Sequence, residues 1–346
     1  MGAVGAPDPR QVDGLGGADM LLSKVAIVSG SMDADVDVEC EFANIAPGKD
    51  RPTYGTNCGN LVSAVALFAI DEGFVSPQGK YSPIRIKNRN SGDLIEAHIG
   101  PLASELKDDS VFSGMSNTGV SVDLDFIEPV GTVLNTLLPT GSARETVILG
   151  DDCSVEISVV DAGAPYVFVR ASDLDLTATE TTDELQRNPE VAEALERIRS
   201  IVAHEIGLVE LVADATLRSP DVPKLAFVGP SANHQCSNES ASVDAAGIDL
   251  VSRIVSSQNY HAAYAVTGAI ATAVAAAVPG SVVAEVICKD LPPGVNRIRI
   301  GHPSGVMTCR VENQGPAESP DIRCAGLTRT ARRIMQGSVV IPNSCF

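Results

Sequence analysis

The chain has 346 residues, more than one ordinary core organises, and 44% of them are hydrophobic against 20% charged, so two folded domains are expected. Its 44 acidic and 25 basic residues leave a net charge of -19, and aromatics are 4% with no Trp. This balance excludes a basic nucleic-acid footprint and base-stacking platforms, but a local patch can still hold an anionic small substrate.

Residues 1–13 are small and polar and carry no signal-peptide pattern. A Gly-rich turn, Gly14-Leu15-Gly16-Gly17, then leads to an apolar strand from Ser23 to Val28 that carries Lys24. A lysine desolvated there is a usable base. The plain alternative is a strand-start lysine that reaches solvent. The Gly spacing fits neither a dinucleotide fingerprint nor a P-loop, and no helix follows it. Val36 to Phe42 alternates as a half-buried strand.

Asn57-Cys58-Gly59-Asn60 stands just before an apolar run, Leu61 to Ile70, whose single polar member is Ser63. A helix apolar on every side is expected to be buried. The first N–H groups of a helix lack internal partners, so its start can receive a carboxylate and favour a thiolate at Cys58. Gly59 lets a ligand approach the backbone. The alternative makes Cys58 one more small buried residue.

Strands are expected at Ile84–Lys87 and Val120–Phe126, with a domain change-over near Leu138–Ser142. Further strands are expected at Val155–Val159 and Tyr166–Arg170, followed by a surface loop over Asp173–Arg187. Asn188 then caps a helix with Pro189 in its first turn and Gly207 past its end. Val191, Leu195, Ile198, Val202 and Ile206 line its buried face.

Ala262 to Val278 reads as a second buried helix, mostly Ala and too short for a membrane span. Thr267 and Gly268 fall early in it, where a helix start can bind an anion, although close approach at Gly268 needs no ligand. Strands are expected at Ser281–Ile287, Arg297–Ile300 and Val306–Val311. Gly301-His302-Pro303-Ser304-Gly305 makes the turn between the last two. Arg329 to Arg333 is a basic cluster in an acidic chain, suited to pairing with acidic surface or holding a carboxylate.

The eight cysteines form no C-x-x-C pair and have no spaced histidines. Neither a metal site nor a disulfide framework is expected, and a reducing compartment fits better. One apolar helix in each half, each among alternating strands, predicts two similar domains in which a sheet wraps a central helix.

In this order the segments resemble the PrpF-type methylaconitate isomerase family, over essentially the whole chain. The resemblance rests on MGAVGAPDPRQVDGLGG at residues 1–17, on Ser23-Lys24 and on TNCGN at residues 56–60. It continues through Asp161 to Pro165, through His261 with Val266 to Ala269, and through Gly301 to Gly305, and ends at Arg329 to Arg333.

The resemblance implies an α+β fold of the diaminopimelate epimerase type: two mostly antiparallel sheets, each around a buried helix, with the active site in the interdomain cleft. It implies domains at residues 1–142, completed by 327–346, and at 143–326. It implies cytoplasmic, cofactor-independent isomerisation of an unsaturated di- or tricarboxylic acid, such as aconitate or methylaconitate. Lys24 and Cys58 are then the catalytic residues. Ser23, Asn57, Gly59, Asn60, Thr267, Gly268, Ser304 and Gly305 are the substrate-binding ones. No metal, nucleic acid or membrane is implied, and a homodimer is left open.

Family members begin with a further segment carrying an Arg-Gly-Gly-Thr-Ser-Lys motif, so the first domain is expected to lack its initial strands. Ala164 stands where they often have Asn. Two other readings stay open. One is an amino-acid racemase or epimerase on the same fold. The absence of a Cys in Ala265 to Gly268 speaks against it, because the related epimerases carry a second Cys there. The other is a non-catalytic accessory of an aconitase-like enzyme.

Overall fold

The computed structural model describes residues 1–19, 22–54, 58–76, 83–99, 119–150, 153–237, 241–256, 258–316 and 318–341. They divide into two compact units. The first takes the described residues of Met1–Glu105, Thr118–Leu124 and Arg329–Phe346, and the second those of Asp125–Thr328. The change of unit thus falls ahead of the Leu138–Ser142 turn. Its physical cause is Asp161, which pins the intervening segment to the second unit. The Asp161 carboxylate accepts from the Val133 N–H at 2.9 Å, the Leu134 N–H at 2.6 Å and the Thr132 hydroxyl at 3.1 Å. Burial nevertheless pushes this carboxyl above its usual range, against the pull of the three donors.

In the first unit the strand order is β1 (Lys24–Gly30), β2 (Val38–Asn44), β3 (Ile84–Asn88), β4 (Leu94–Ile99) and β5 (Val120–Ile127), the last belonging to this unit as far as Leu124. β1 and β2 are antiparallel, β2 and β3 parallel, and β3 and β4 antiparallel. β2 and β3 alternate buried and less buried residues, as a half-buried sheet requires. Helix α1 (Gly59–Asp71) packs on β1 and β4 through Val62, Val65, Ala66 and Ala69.

The second unit carries β6 (Glu145–Gly150), β7 (Cys153–Asp161), β8 (Pro165–Arg170), β9 (Lys224–Pro230), β10 (Leu250–Ser256), β11 (Gly294–His302), β12 (Gly305–Asn313) and β13 (Ile322–Ala331), which from Arg329 belongs to the first unit. Its strand order is β13-β12-β11-β10-β9-β8-β7-β6, antiparallel except at β10/β11 and β8/β9.

Among the helices of this unit are α2 (Thr182–Gln186), α3 (Pro189–Glu205), α4 (Ala215–Arg218), α5 (Val266–Ala277) and α6 (Val282–Ile287). α3 lays Val191, Leu195, Ile198 and Val202 on Ile157, Val169, Phe227 and Val251. Its Asn188 cap accepts from the Val191 N–H at 3.3 Å, and Gly207 follows it at φ 76. α5 packs against β7, β8, β11 and β12, and every residue from Val266 to Ala276 is buried.

Two expectations fail locally. Ser281–Ile287 is not a strand, because the Ser281 hydroxyl caps α6 by accepting from the Ala284 N–H at 3.0 Å. Val282, Val283 and Ile287 then form its buried face. The expected loop at Asp173–Arg187 contains α2, started by a capping box between Thr181 and Glu184. Among the described residues no helix is long and apolar enough to cross a membrane.

Candidate active site

In the first unit the Gly-rich turn closes over one side chain, Gln11, which is 2% exposed. Gly14 and Gly16 lie so near Val4, Gly5 and Gln11 that a Cβ at either position has no room. Gln11 Oε1 accepts from the Ala18 N–H at 2.8 Å and from the Ser23 hydroxyl at 2.6 Å. Ser23 is fully buried, its N–H donates to the Asp19 carbonyl at 3.0 Å, and its carbonyl accepts from Ile45 at 2.9 Å. Lys24 opens β1 from this fixed base, half-buried and without an ion pair among the described residues.

Cys58 is the N-cap residue of α1, 9% exposed, and its side chain makes no capping bond. Gly59 is buried and Asn60 exposed in the first turn. Asn57 lies outside the described residues. The basic cluster runs beside this helix. Arg329 Nε donates to Asn60 Oδ1 at 3.2 Å at its start, and Arg333 pairs with Asp71 at 3.0 Å and Glu72 at 2.6 Å at its end. The sequence marks Arg329 only as part of a basic run suited to acidic surface or a carboxylate, and the structure places it on Asn60. Arg329 adds positive charge at the start of the helix, the end at which the helix dipole is also positive.

In the second unit Thr267 and Gly268 open α5, and both are buried. The Thr267 hydroxyl is 3.2 Å from the Tyr166 hydroxyl, and Gly268 is pressed against Ile254 and Tyr166. Burial holds the Tyr166 phenol far above its usual range. Close packing therefore accounts for both residues by itself. Ser304 and Gly305 complete the β11–β12 hairpin, with Gly305 at φ 135. Ser304 Oγ donates to the Ala262 carbonyl at 2.5 Å, and the His302 ring stacks on Tyr264 at 6.0 Å. The structure thus places the expected hairpin against Ala262 and Tyr264, in the segment just ahead of α5, within this unit. Among the described residues no group of three or more His, Cys, Asp or Glu could hold a metal ion.

The architecture, α+β with a mostly antiparallel sheet packed on an apolar helix in each unit, is that of the diaminopimelate epimerase-like fold. The solved structure of methylitaconate-delta-isomerase superposes with a TM-score of 0.79 at 32% identity, covering 99% of this chain and 87% of that one. The 3-methylitaconate isomerase of Eubacterium barkeri is 34% identical over 340 residues, 97% of this chain and 87% of the relative. The 4-oxalomesaconate tautomerase of Pseudomonas putida is 32% identical over 344 residues, 99% of this chain and 87% of the relative. The family model described as PrpF protein matches residues 1–342. The chain belongs to the PrpF family and is an isomerase.

Proposed function

We propose that this isomerase interconverts unsaturated di- or tricarboxylic acids, without a cofactor, by a 1,3 proton shift or a cis–trans change through a dienolate. The observation that carries the reading is the similarity, along nearly the whole chain, to isomerases named for methylitaconate and oxalomesaconate. The residues supply chemistry that suits it. The Lys24 amine, in its neutral form, takes a proton from a carbon beside the double bond. The C–H bond breaks, an N–H bond forms, and the electron pair spreads across the allyl unit onto a carboxylate.

The N–H groups of Gly59 and Asn60 at the start of α1 are suited to stabilise that charge, with Arg329 adding to the local field. Cys58, or Lys24 again, returns a proton at the far end of the allyl unit. Ser23, Asn57, Thr267, Gly268, Ser304 and Gly305 remain the proposed substrate contacts. The seven described cysteines form no disulfide with one another, and a reducing, cytoplasmic setting remains part of the proposal.

Proton NMR of the protein with candidate acids in deuterated water tests the reading, since it reports both double-bond movement and the carbon that exchanges. Lys24→Met is expected to abolish turnover and exchange while the fold persists. Wild-type exchange in that variant sinks the base assignment. Cys58→Ser is expected to lower turnover about 100-fold or more if the thiol transfers a proton, and far less if it only lines the site.

A further inference from the structure

Asn44 faces Lys24 across the β1–β2 ladder, and the proposed chemistry gives it no role. Lys24 and Asn44 are direct partners in the antiparallel register. The neighbouring pair, Ser23 and Ile45, is a hydrogen-bonded one, with the Ile45 N–H on the Ser23 carbonyl at 2.9 Å. Lys24 and Asn44 therefore form a non-hydrogen-bonded pair, the kind in which opposed side chains stand closest on one face of the sheet.

Asn44 spends its backbone elsewhere, exchanging two bonds of 2.9 Å with Thr53. Its side-chain oxygen is buried and has no donor among the described residues. An orphaned buried acceptor is costly and calls for an explanation. Lys24, its closest cross-strand neighbour, is a half-buried donor with no ion pair among the described residues.

The other elements around Lys24 offer no described carboxylate in this role. The same face of β2 carries Phe42 and Cys40, and burial pushes the Cys40 thiol up to about 12, so it stays neutral. Helix α1, packed on β1, has no charged residue before Asp71. Asp19, on the preceding turn, holds Ser23 through its backbone carbonyl. Glu39 and Glu41 alternate onto the opposite face of β2.

We propose that Asn44 is the positioning residue of Lys24, and this rests on Lys24 being the base. When the amine takes the substrate proton it becomes an ammonium with three N–H groups. Asn44 Oδ1 accepts one of them and leaves the others directed at the allyl unit. Whether the lysine or Cys58 returns a proton to the second carbon, Asn44 neither gains nor loses one. A carboxamide suits this place because it accepts without a charge that would lock the lysine in its protonated form.

Three variants test the proposal in the full chain. Asn44→Leu keeps the volume and removes the acceptor. It is expected to lower kcat about 10-fold to 100-fold, with KM within about twofold of the parent. Asn44→Gln retains an acceptor and is expected to recover part of the loss. Asn44→Asp sets a carboxylate beside the ammonium, which favours the charged lysine, so the rising limb of the kcat–pH profile moves to higher pH.

Wild-type kcat in Asn44→Leu, or an unmoved profile in Asn44→Asp, overturns the proposal. If Asn44→Leu fails to fold, the Asn44→Asp profile decides alone. Lys24→Met separates the two readings. If it retains turnover, the base assignment falls and Asn44 loses its role with it. If it is inactive while the Asn44→Asp profile stands still, Asn44 alone is rejected.

Discussion

α1 and α5 carry nearly the same apolar sequence signal, yet the structure treats them differently. α5 is buried on every side, and its polar atoms are satisfied inside the unit. The Thr272 hydroxyl donates to the Gly268 carbonyl at 2.7 Å and lies 2.8 Å from the Tyr264 hydroxyl. α1 buries one face and leaves Asn60, Ala64 and Phe68 exposed along a stripe at four-residue spacing. Side-chain size bears on the difference. Between Val266 and Ala277, α5 has one large side chain, Ile270, and the rest are smaller, so strands can close around it, whereas α1 carries Phe68 together with Leu61, Leu67 and Ile70. An all-apolar helix is thus permitted to be central, and the strands around it decide whether it is.

The largest expected effect comes from charging the enclosed helix. Ala271 is fully buried, so Ala271→Asp leaves a carboxylate without a partner and is expected to cost more than about 4 kcal/mol, enough to unfold the second unit. Ala64→Asp, on the exposed stripe of α1, is expected to stay within about 0.5 kcal/mol of the parent. Denaturant titration of the two variants makes the test. Equal losses would mean that both helices are enclosed in solution, and the comparison would collapse.

A smaller effect sharpens the same contrast through volume. A Cβ on Gly268 meets the Ile254 Cδ1 atom and comes within 3.1 Å of the Tyr166 hydroxyl. Ile254 is 1% exposed and cannot swing clear, so Gly268→Ala is expected to cost about 1–3 kcal/mol. The readout is the denaturation midpoint with an unchanged m-value, since the substitution leaves the exposed surface of the unfolded chain almost the same. An unshifted midpoint would show slack around α5 that the structure does not have.

The half-buried elements were legible because alternation and caps are local. Val120–Ile127 and the Val191/Leu195/Ile198/Val202 face of α3 could be read off the residues. Strands such as Lys224–Pro230 and Leu250–Ser256 could not, because they are buried on both faces and lose the period of two. The misread Ser281–Ile287 shows the opposite failure, where a serine cap outweighed β-branched residues.

In the candidate site, Lys24 and Cys58 stood out because a Gly-rich turn and a helix start announced them. Asn44 sent no such signal. Its relation to Lys24 exists only in the strand register, and register between distant segments is not written in either one. Arg329 lay between these cases: the basic cluster was visible, but its bond to Asn60 depends on where the last strand returns.

The smallest effect concerns the exposed stripe itself. Phe68 is 42% exposed and stacks on Phe74 with ring centroids 6.3 Å apart, and Phe74 is itself 45% exposed. A buried phenylalanine cut to alanine costs about 3–5 kcal/mol, of which the cavity left behind is a large part. No closed cavity forms at Phe68, because solvent already reaches the ring. What remains is part of the transfer free energy and the ring–ring contact, itself about 0.5–1.5 kcal/mol. Phe68→Ala is therefore expected to cost about 1 kcal/mol, and Phe74→Ala a similar amount. Because the two rings share one contact, the double variant should cost less than the two singles added together. A full core-like loss of several kcal/mol at Phe68, read from chemical denaturation, would show that this face of α1 is covered in solution, and α1 would join α5 as an enclosed helix.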